Sequence, residues 1–503
     1  MFNHPKGLYM LSTVEMWERF SYYGMRAIFS LFMVHALMFT VPFASNVYGI
    51  YTAFVYLTPL IGGYVSDRYL GNTKSIFFGG ILMAIGQFLM AYSASMYNPT
   101  VTIATHSTLI WSLQENLMII ALIFLCLGCG FLKANISSMI AFLYEPNDSR
   151  LDSAFSIFYV GINLGALISP LVMGLICGGN PSLFQYGFLA SGIGMCLGLV
   201  ILMTFKNKFL FDVNGNAIGN EPTYLHQKNL SEDEIDELIL RKYAHDDDII
   251  KREKEKLDKL SLEQKKDILD GSLTREEKHR IIAILVISAF AIFFFSAFEQ
   301  MGVSLTFFAD TYISRSIGNF VVPTPWFQSV EPAFIIILAP LFAILWNKLH
   351  EKKKNFSIPL KISCGLFTLG LGFLIFAIPA HSINAGATSI SMIWIIILFF
   401  LLTIAELFIS PTGLSVVSKL SPPKFMSIML GIWFAATALS NYLAGFLSGL
   451  YPDPKLPTPY LLGIIPINGF FEFFLLFAVF SFVGAVAALI FRKKIVALTH
   501  GVE

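Results

Sequence analysis

The chain has 503 residues, of which 55% are hydrophobic and only 13% are charged, and its formal net charge is +1. This composition excludes an ordinary soluble protein. Twelve segments are long enough to cross a bilayer core of about 30 Å, so we predict an all-α integral membrane protein. They lie near residues 13–39, 47–66, 75–95, 117–142, 153–177, 184–205, 281–310, 327–347, 357–379, 390–416, 427–450 and 466–491.

The basic residues give these segments an orientation. Only Arg315 and Lys455 fall in the loops that follow odd-numbered segments, whereas the other loop and terminal Lys and Arg residues lie in the termini and in the loops after even-numbered segments. Cytoplasmic loops carry the excess of basic residues. We therefore expect both termini and the 206–280 region to be cytoplasmic.

The first segment carries four charges in an otherwise apolar stretch. A charge near the middle of a membrane helix costs roughly 2.5–3.5 kcal/mol, so such side chains must face protein or water. The four charged residues and two tyrosines recur at the three- and four-residue spacing that places them on one helix face. A structural salt bridge with snorkelling side chains is the alternative, but Arg26 lies too deep to snorkel. The stripe consists of Glu15, Glu18, Arg19, Tyr22, Tyr23 and Arg26.

The loop after the second segment combines glycines with charged residues. It reads Gly62-Gly63-Tyr-Val-Ser-Asp67-Arg68 and continues to Lys74. Glycines allow helices to pack closely. The pattern resembles the loop motif between helices two and three of the major facilitator superfamily, although Asn72 stands where a basic residue is common.

The fourth and fifth segments each carry polar groups at membrane depth. Lys133 needs a carboxylate partner or an anionic ligand there. Tyr159 and Asn163 are four residues apart and therefore share a helix face. Ordinary hydrogen bonding between helices is the alternative for these two residues.

The polar region 206–280 separates the first six segments from the last six. It contains 15 Lys and Arg and 18 Asp and Glu, with too few apolar residues for a core of its own. We predict a charged cytoplasmic linker with short helices, one capped at Ser231 and one over residues 247–260. Thr274 and Glu277 have the spacing of a capping box for the seventh segment.

The arrangement of six segments, a polar region and six more segments predicts three regions. It is typical of transporters with a binding site near the middle of the membrane. The first is an N-terminal six-helix bundle, the second the linker, and the third a C-terminal six-helix bundle with a short tail. Their boundaries are residues 1–205, 206–280 and 281–503.

The second half carries acidic and other polar side chains inside its segments, whereas the deep cations Arg26 and Lys133 lie in the first half. A zwitterion would fit between two such halves, and acidic groups near desolvated cations suit reversible protonation. The alternatives are static salt bridges for the carboxylates and ordinary packing for the amide and hydroxyl groups. The residues are Glu299, Gln300, Glu331, Glu406, Ser410 and Trp433.

The block from Glu15 to Gly24, Glu-x-x-Glu-Arg-Phe-x-Tyr-Tyr-Gly, resembles the helix-one motif of the proton-dependent oligopeptide transporter family (POT, or PTR2). Further blocks are similar to its other signatures, and the resemblance covers about residues 10–450. These blocks are residues 158–165, 298–300, 327–329 and 406–411.

The resemblance implies proton-coupled import of di- and tripeptides by alternating access, in a major facilitator fold. Arg26 and Lys133 would hold the peptide carboxylate, and Asn163 and Glu406 its amino terminus. Proton coupling and gating would involve Glu15, Glu18, Arg19, Lys133, Glu299 and Glu406. The substrate would be bound by Tyr22, Tyr23, Arg26, Tyr56, Lys133, Tyr159, Asn163, Phe295, Gln300, Glu331, Glu406, Ser410 and Trp433.

The sequence departs from the family pattern in three places. Phe295 stands where the family usually has Trp, and Glu331 stands where it usually has Asn. The additional carboxyl group provides a proton site or favours cationic ligands. The third departure concerns the 206–280 region, which is too polar for the two extra helices of many bacterial members, so we predict twelve spans.

These features predict a multi-pass protein of the bacterial inner membrane that is a monomeric transporter and not an enzyme. Its partners would be small peptides, protons and membrane lipid, without nucleic acid. The proton would be the coupling ion, and no metal or other cofactor is expected. The alternatives are a carrier of the same fold for a nitrate-like anion or for an amino-acid or peptide derivative, and a non-transporting nutrient receptor that acts through the 206–280 region.

Overall fold

The structure is a computed structural model that describes residues 4–99, 112–145, 148, 150–212, 215–222, 273–352, 356–422 and 425–500. A few helical side chains within these ranges, including that of Ser410, are not among those described. The two short helices predicted within 231–260 lie outside the described residues.

Long helices dominate both halves. The first half contains α1 (Lys6–His35), α2 (Val41–Val65), α3 (Asn72–Ser95), α4 (Leu113–Ala141), α5 (Leu151–Cys177) and α6 (Phe184–Phe209). The second half contains α7 (Arg275–Phe298), α8 (Ser304–Tyr312), α9 (Val330–Glu351), α10 (Ile358–Asn384), α11 (Ile393–Leu420), α12 (Met426–Ser448) and α13 (Phe470–Thr499).

The strands are two-residue pairs in the connections of the second half. β1 (Ile313–Ser314) pairs in parallel with β4 (Ile390–Ser391). The antiparallel pairs are β2 (Ser316–Ile317) with β3 (Phe320–Val321), and β5 (Tyr460–Leu461) with β6 (Ile465–Pro466).

Each of the twelve predicted segments overlaps a described helix, and the seventh is divided between two. Within the described part of the chain, nine helical stretches are long and apolar enough to cross a membrane. A further apolar stretch, Ile393–Ile409, is shorter. The protein is therefore a predominantly helical, multi-pass membrane protein.

The predicted capping box at the start of the seventh segment is confirmed. Thr274 Oγ1 accepts a hydrogen bond from the Glu277 backbone N–H at 3.2 Å, and the Glu277 carboxylate accepts one from the Thr274 N–H at 2.8 Å. This exchange satisfies two N–H groups that the first turn of a helix leaves without partners. Ser112 and Glu115 cap α4 in the same way, which places its start earlier than the sequence suggested.

The seventh predicted segment, 281–310, lies within one candidate span over Arg275–Tyr312, but its helix is interrupted. α7 ends at Phe298, a 3₁₀ turn occupies Glu299–Gly302, and the chain resumes as α8. Gly302 permits this arrangement because a Cβ atom there would collide with the Tyr48 hydroxyl and the Arg26 guanidinium. The turn can therefore approach α1 and α2 closely.

Packing within each half is extensive, and several helix pairs join the halves. α1 packs against α5 and α6, and α3 packs against α4 and α6. In the second half α13 packs against α7 and α10. The two halves meet where α2 packs on α12 and α5 on α9. Gly49 and Gly445 lie at the α2–α12 crossing, where a Cβ atom on either would meet the backbone of the other.

Polar contacts also join the halves at the end of the helices opposite to the N terminus, which we call the joined end. Ser30 Oγ donates to the Gly302 carbonyl at 2.7 Å, and the Ser45 and Ser448 hydroxyls are 3.1 Å apart. The Trp326 indole N–H donates to Leu171 O at 3.0 Å, and Ser329 Oγ donates to Leu167 O at 2.7 Å. These bonds tie α1, α2 and α5 to the second half.

Candidate functional site

A cavity of about 290 Å³ lies between the two halves. This volume is close to the lower end of small-ligand pockets, roughly 300–1,000 Å³. Its walls come from α1, α2, α4 and α5 on one side and from α7, α9, α11 and α12 on the other. The lining residues are Tyr23, Arg26, Tyr56, Lys133, Tyr159, Ile162, Asn163, Ala166, Phe295, Phe298, Glu299, Met301, Gln328, Glu331, Pro332, Ile335, Glu406, Trp433, Phe434 and Thr437.

Most of the residues predicted to bind substrate line this one cavity, although they are far apart in the sequence. The structure brings together Tyr23, Arg26, Tyr56, Lys133, Tyr159, Asn163, Phe295, Glu331, Glu406 and Trp433. Gln328 and Thr437 add polar atoms to the wall but were not among the predicted substrate residues, although Gln328 lies in the 327–329 block. Neither has a charge that would draw attention to it in an apolar segment.

Two of the predicted substrate residues lie elsewhere. Tyr22 is buried and packs its ring edge-on against Tyr23, with 5.2 Å between the ring centroids. Gln300 is fully buried, and its amide donates to the Ser296 and Ala444 carbonyls at 3.1 and 3.0 Å. We therefore correct the assignment of Gln300, which holds the interrupted helix against α12. Ser410 belongs to α11, but its side chain is outside the described part.

Arg26 forms the centre of a buried polar network. Its Nη2 atom forms an ion pair with Glu299 Oε2, and its Nε donates to the Tyr48 hydroxyl at 2.5 Å. Of the two deep cations of the first half, Arg26 and Lys133, the structure places Arg26 against Glu299. Sequence analysis missed Tyr48, although Ser45, Tyr48 and Thr52 recur at helical spacing on the segment that also carries Tyr56.

Lys133 and two carboxyl groups face the cavity from opposite halves. Lys133 Nζ lies 3.8 Å from the centroid of the Tyr56 ring, which is a cation–π contact. Glu331 of α9 and Glu406 of α11 line the same wall of the cavity, and their carboxyl groups are close enough to share a hydrogen bond. The cavity thus has a cationic wall and an acidic wall.

The other charges of α1 form a compact group nearer the N terminus, which we call the helix-one cluster: Glu15, Glu18 and Arg19. Arg19 Nε donates to Glu15 Oε1 at 2.7 Å and lies 3.0 Å from Glu18 Oε2. All three residues are buried. Among the described residues, neither oxygen of Glu18 has a hydrogen-bond partner by geometric criteria. Burying an ionised carboxylate with so few partners costs free energy, so this site is suited to reversible protonation.

A second charged contact joins the halves beyond Arg26 and Glu299. His35 Nε2 at the end of α1 lies 2.7 Å from Asp310 Oδ2 in α8, and Thr324 donates to the same carboxylate at 2.7 Å. A cavity of about 620 Å³ adjoins them. Sequence analysis missed this contact, although its residues follow Arg26 and Glu299 on the same two segments.

The family model described as the POT family (PTR2) matches residues 73–460. An uncharacterized transporter YclF of Bacillus subtilis is 33% identical over 486 residues, which are 92% of this chain and 91% of that protein. A peptide transporter YePEPT of Yersinia enterocolitica is 32% identical over 475 residues, 89% of this chain and 88% of that protein.

Solved structures agree with these matches. A crystal structure of a peptide transporter POT in complex with sulfate has a TM-score of 0.77 at 28% identity, covering 99% of this chain and 96% of that one. A POT family transporter in complex with 5-aminolevulinic acid has a TM-score of 0.76 at 26% identity, covering 98% of both chains. The resemblance inferred from the helix-one motif is thereby confirmed, and the chain belongs to the POT family.

Proposed function

We propose that this protein is a proton-coupled symporter that imports di- and tripeptides by alternating access. The observation that carries the proposal is the charge arrangement of the cavity. Arg26 and Lys133 stand on the first-half wall, whereas Glu331 and Glu406 stand on the second-half wall. A peptide zwitterion needs such separated and opposite charges. The peptide transporters among the relatives support this substrate class.

In this proposal the peptide lies across the cavity. Its carboxylate faces Lys133 and the guanidinium of Arg26, and its ammonium group faces Glu406 and Asn163. The Asn163 amide N–H groups are partly used, because Nδ2 donates to the Tyr159 carbonyl at 2.9 Å. The amide oxygen therefore remains suited to accept a hydrogen bond from an ammonium group. Aromatic rings, including that of Trp433, complete the side-chain pockets.

The proposal places this chain in the membrane with twelve spans, two six-helix bundles and both termini in the cytoplasm. The 206–280 region would be the cytoplasmic linker between bundles. With that orientation the joined end faces away from the cytoplasm, so the described form would be closed on the outer side of the membrane. The protein would act as a monomer in a bacterial inner membrane.

Proton coupling would connect the helix-one cluster to the joined end. Opening the joined end requires the Arg26–Glu299 ion pair and the His35–Asp310 contact to separate. A proton on Glu299 would remove the attraction to Arg26, and a proton on Glu18 would remove a charge beside Arg19. Protonation of these carboxyl groups therefore provides a physical reason for the halves to rearrange.

Transport of a nitrate-like anion is the alternative function, and the cavity supports it less well. Arg26 is already engaged by Glu299, and two more carboxyl groups line the opposite wall. An anion would meet repulsion from that wall, whereas a peptide ammonium group would be attracted to it.

Uptake into proteoliposomes tests the proposal. We expect labelled dialanine to accumulate above its external concentration only when the proton gradient is directed inward. A protonophore should abolish the accumulation, and protein-free vesicles serve as the control. Uptake that is indifferent to both pH and protonophore would contradict proton coupling.

Glu331 is expected to skew the substrate range toward peptides with an additional positive charge. Hydrogen bonds to charged groups contribute about 1.5–3 kcal/mol, so Glu331→Asn should weaken competition by Lys-Ala roughly 10- to 100-fold more than competition by Ala-Ala. Competition against labelled dialanine measures the ratio of the two peptides' affinities, and Glu276→Gln on the exposed start of α7 is a matched control. An unchanged affinity ratio in Glu331→Asn would contradict this prediction.

A further inference from the structure

A hydrogen bond between Glu331 and Glu406 has a chemical requirement of its own. Two carboxylate groups have only acceptor atoms, so a direct hydrogen bond between them requires a proton on one of them. They come from different helices, α9 and α11, and both line the central cavity. We call these two residues the carboxyl pair.

The titratable and charged groups around the carboxyl pair do not balance its negative charge, so a cation can bind there. Tyr23 of α1 and Tyr159 of α5 line the same cavity as the carboxyl pair. Arg26 and Glu299 also act on it electrostatically, but Arg26 is bound to Glu299. Lys133, the other cation of the cavity, lies against the Tyr56 ring. Within the described lining, Arg26 and Lys133 therefore make their direct contacts with Glu299 and Tyr56 and not with the carboxyl pair.

The charge of the pair sets how much positive charge it can balance. With one proton the pair carries a single negative charge, which matches the ammonium group of a peptide with neutral side chains. Without that proton it carries two negative charges, which match an ammonium group plus a cationic side chain. Two adjacent carboxylates in a low-dielectric site are stable only when such cations are present.

We propose that Glu331 and Glu406 form a proton-binding site, separate from the helix-one cluster, whose proton is displaced by a second positive charge on the substrate. When Lys-Ala binds, the shared proton leaves to water and both carboxylates accept N–H hydrogen bonds from the ligand. When Ala-Ala binds, the proton stays. The ligand part of this inference rests on the proposed function, whereas the shared proton of the empty site does not.

Calorimetry of the full-length protein in detergent tests the ligand part. Binding is measured in two buffers of different ionisation enthalpy, which gives the protons released. We expect Lys-Ala to release about one proton more than Ala-Ala, by linkage between ligand and proton binding. Glu331→Gln should abolish the difference, whereas Glu331→Asp, which keeps two carboxyl groups, should retain it. Equal release by the wild-type protein, or a difference that survives Glu331→Gln, would overturn the proposal.

Infrared difference spectroscopy of the ligand-free protein tests the shared proton separately. A pH step should change a protonated-carboxyl band that is absent in Glu331→Gln and present in Glu276→Gln. If neither peptide binds but this band behaves as expected, the peptide function fails while the proton site stands. If peptides bind and the band is the same in Glu331→Gln, the shared proton is refuted and the function stands.

Discussion

Glu406→Gln and Lys133→Ala are each expected to abolish proton-driven uptake of dialanine. The two side chains lie on opposite walls of the central cavity, where the proposed pose puts the peptide ammonium and carboxylate groups. Removing one partner of a buried, hydrogen-bonded charge pair costs about 2–5 kcal/mol, or roughly 30- to 4,000-fold in affinity. The losses should appear both in binding of dialanine and in its accumulation by proteoliposomes.

The same two substitutions at exposed positions provide the matched control. Glu276 and Lys278 lie on the exposed first turn of α7, so Glu276→Gln and Lys278→Ala should leave uptake near the wild-type rate. Thermal unfolding of all four variants separates a transport defect from a folding defect. Near-normal uptake by both cavity variants would refute the assignment of the two walls.

Breaking the Arg26–Glu299 ion pair is expected to reduce stability as well as transport. Both residues are buried, and removing one partner of a buried pair costs about 3–5 kcal/mol because the other charge is left without compensation. Arg26→Met and Glu299→Gln should therefore each lower the midpoint of thermal unfolding in detergent. Each should also stop driven uptake, since the pair links the substrate cavity to the joined end.

The double variant Arg26→Met/Glu299→Gln distinguishes the two effects. Replacing both charges removes the uncompensated partner, so we expect most of the lost stability to return while driven uptake remains absent. Glu276→Gln again serves as the control, because Glu276 is exposed and its carboxylate lies 3.7 Å from Arg280, beyond hydrogen-bond distance. Restored uptake in the double variant would show that this pair is structural and has no part in gating.

The helices and many residues of the cavity walls could be predicted from the sequence, because each is marked by a local pattern of charged and apolar residues. A charge in an apolar segment has few tolerable positions, and its helical spacing identifies the face it occupies. That reasoning found Arg26, Lys133 and Glu406. The Thr274–Glu277 capping box was equally readable, since its two hydrogen bonds depend on residues three positions apart.

The features that the sequence did not reveal depend on distant partners. The seventh segment breaks at Glu299–Gly302 within an apolar stretch that has no proline, because Gly302 lies against Arg26 and Tyr48. The carboxyl pair requires the relative position of α9 and α11, which no local spacing fixes. Gln300 resembled a substrate ligand because one of its two acceptors, the Ala444 carbonyl, lies far away along the chain.

In the proposed alternating-access cycle, the joined end would also influence the rate of transport. Its single hydrogen bonds, such as Ser45–Ser448 and Ser30–Gly302, touch neither the cavity nor the helix-one cluster. Each contributes about 1 kcal/mol, and losing one would change the ratio of the two access states roughly fivefold. In that cycle, substitutions at these serines would change the turnover rate and leave substrate recognition unchanged. The turnover rate could therefore evolve independently of substrate specificity.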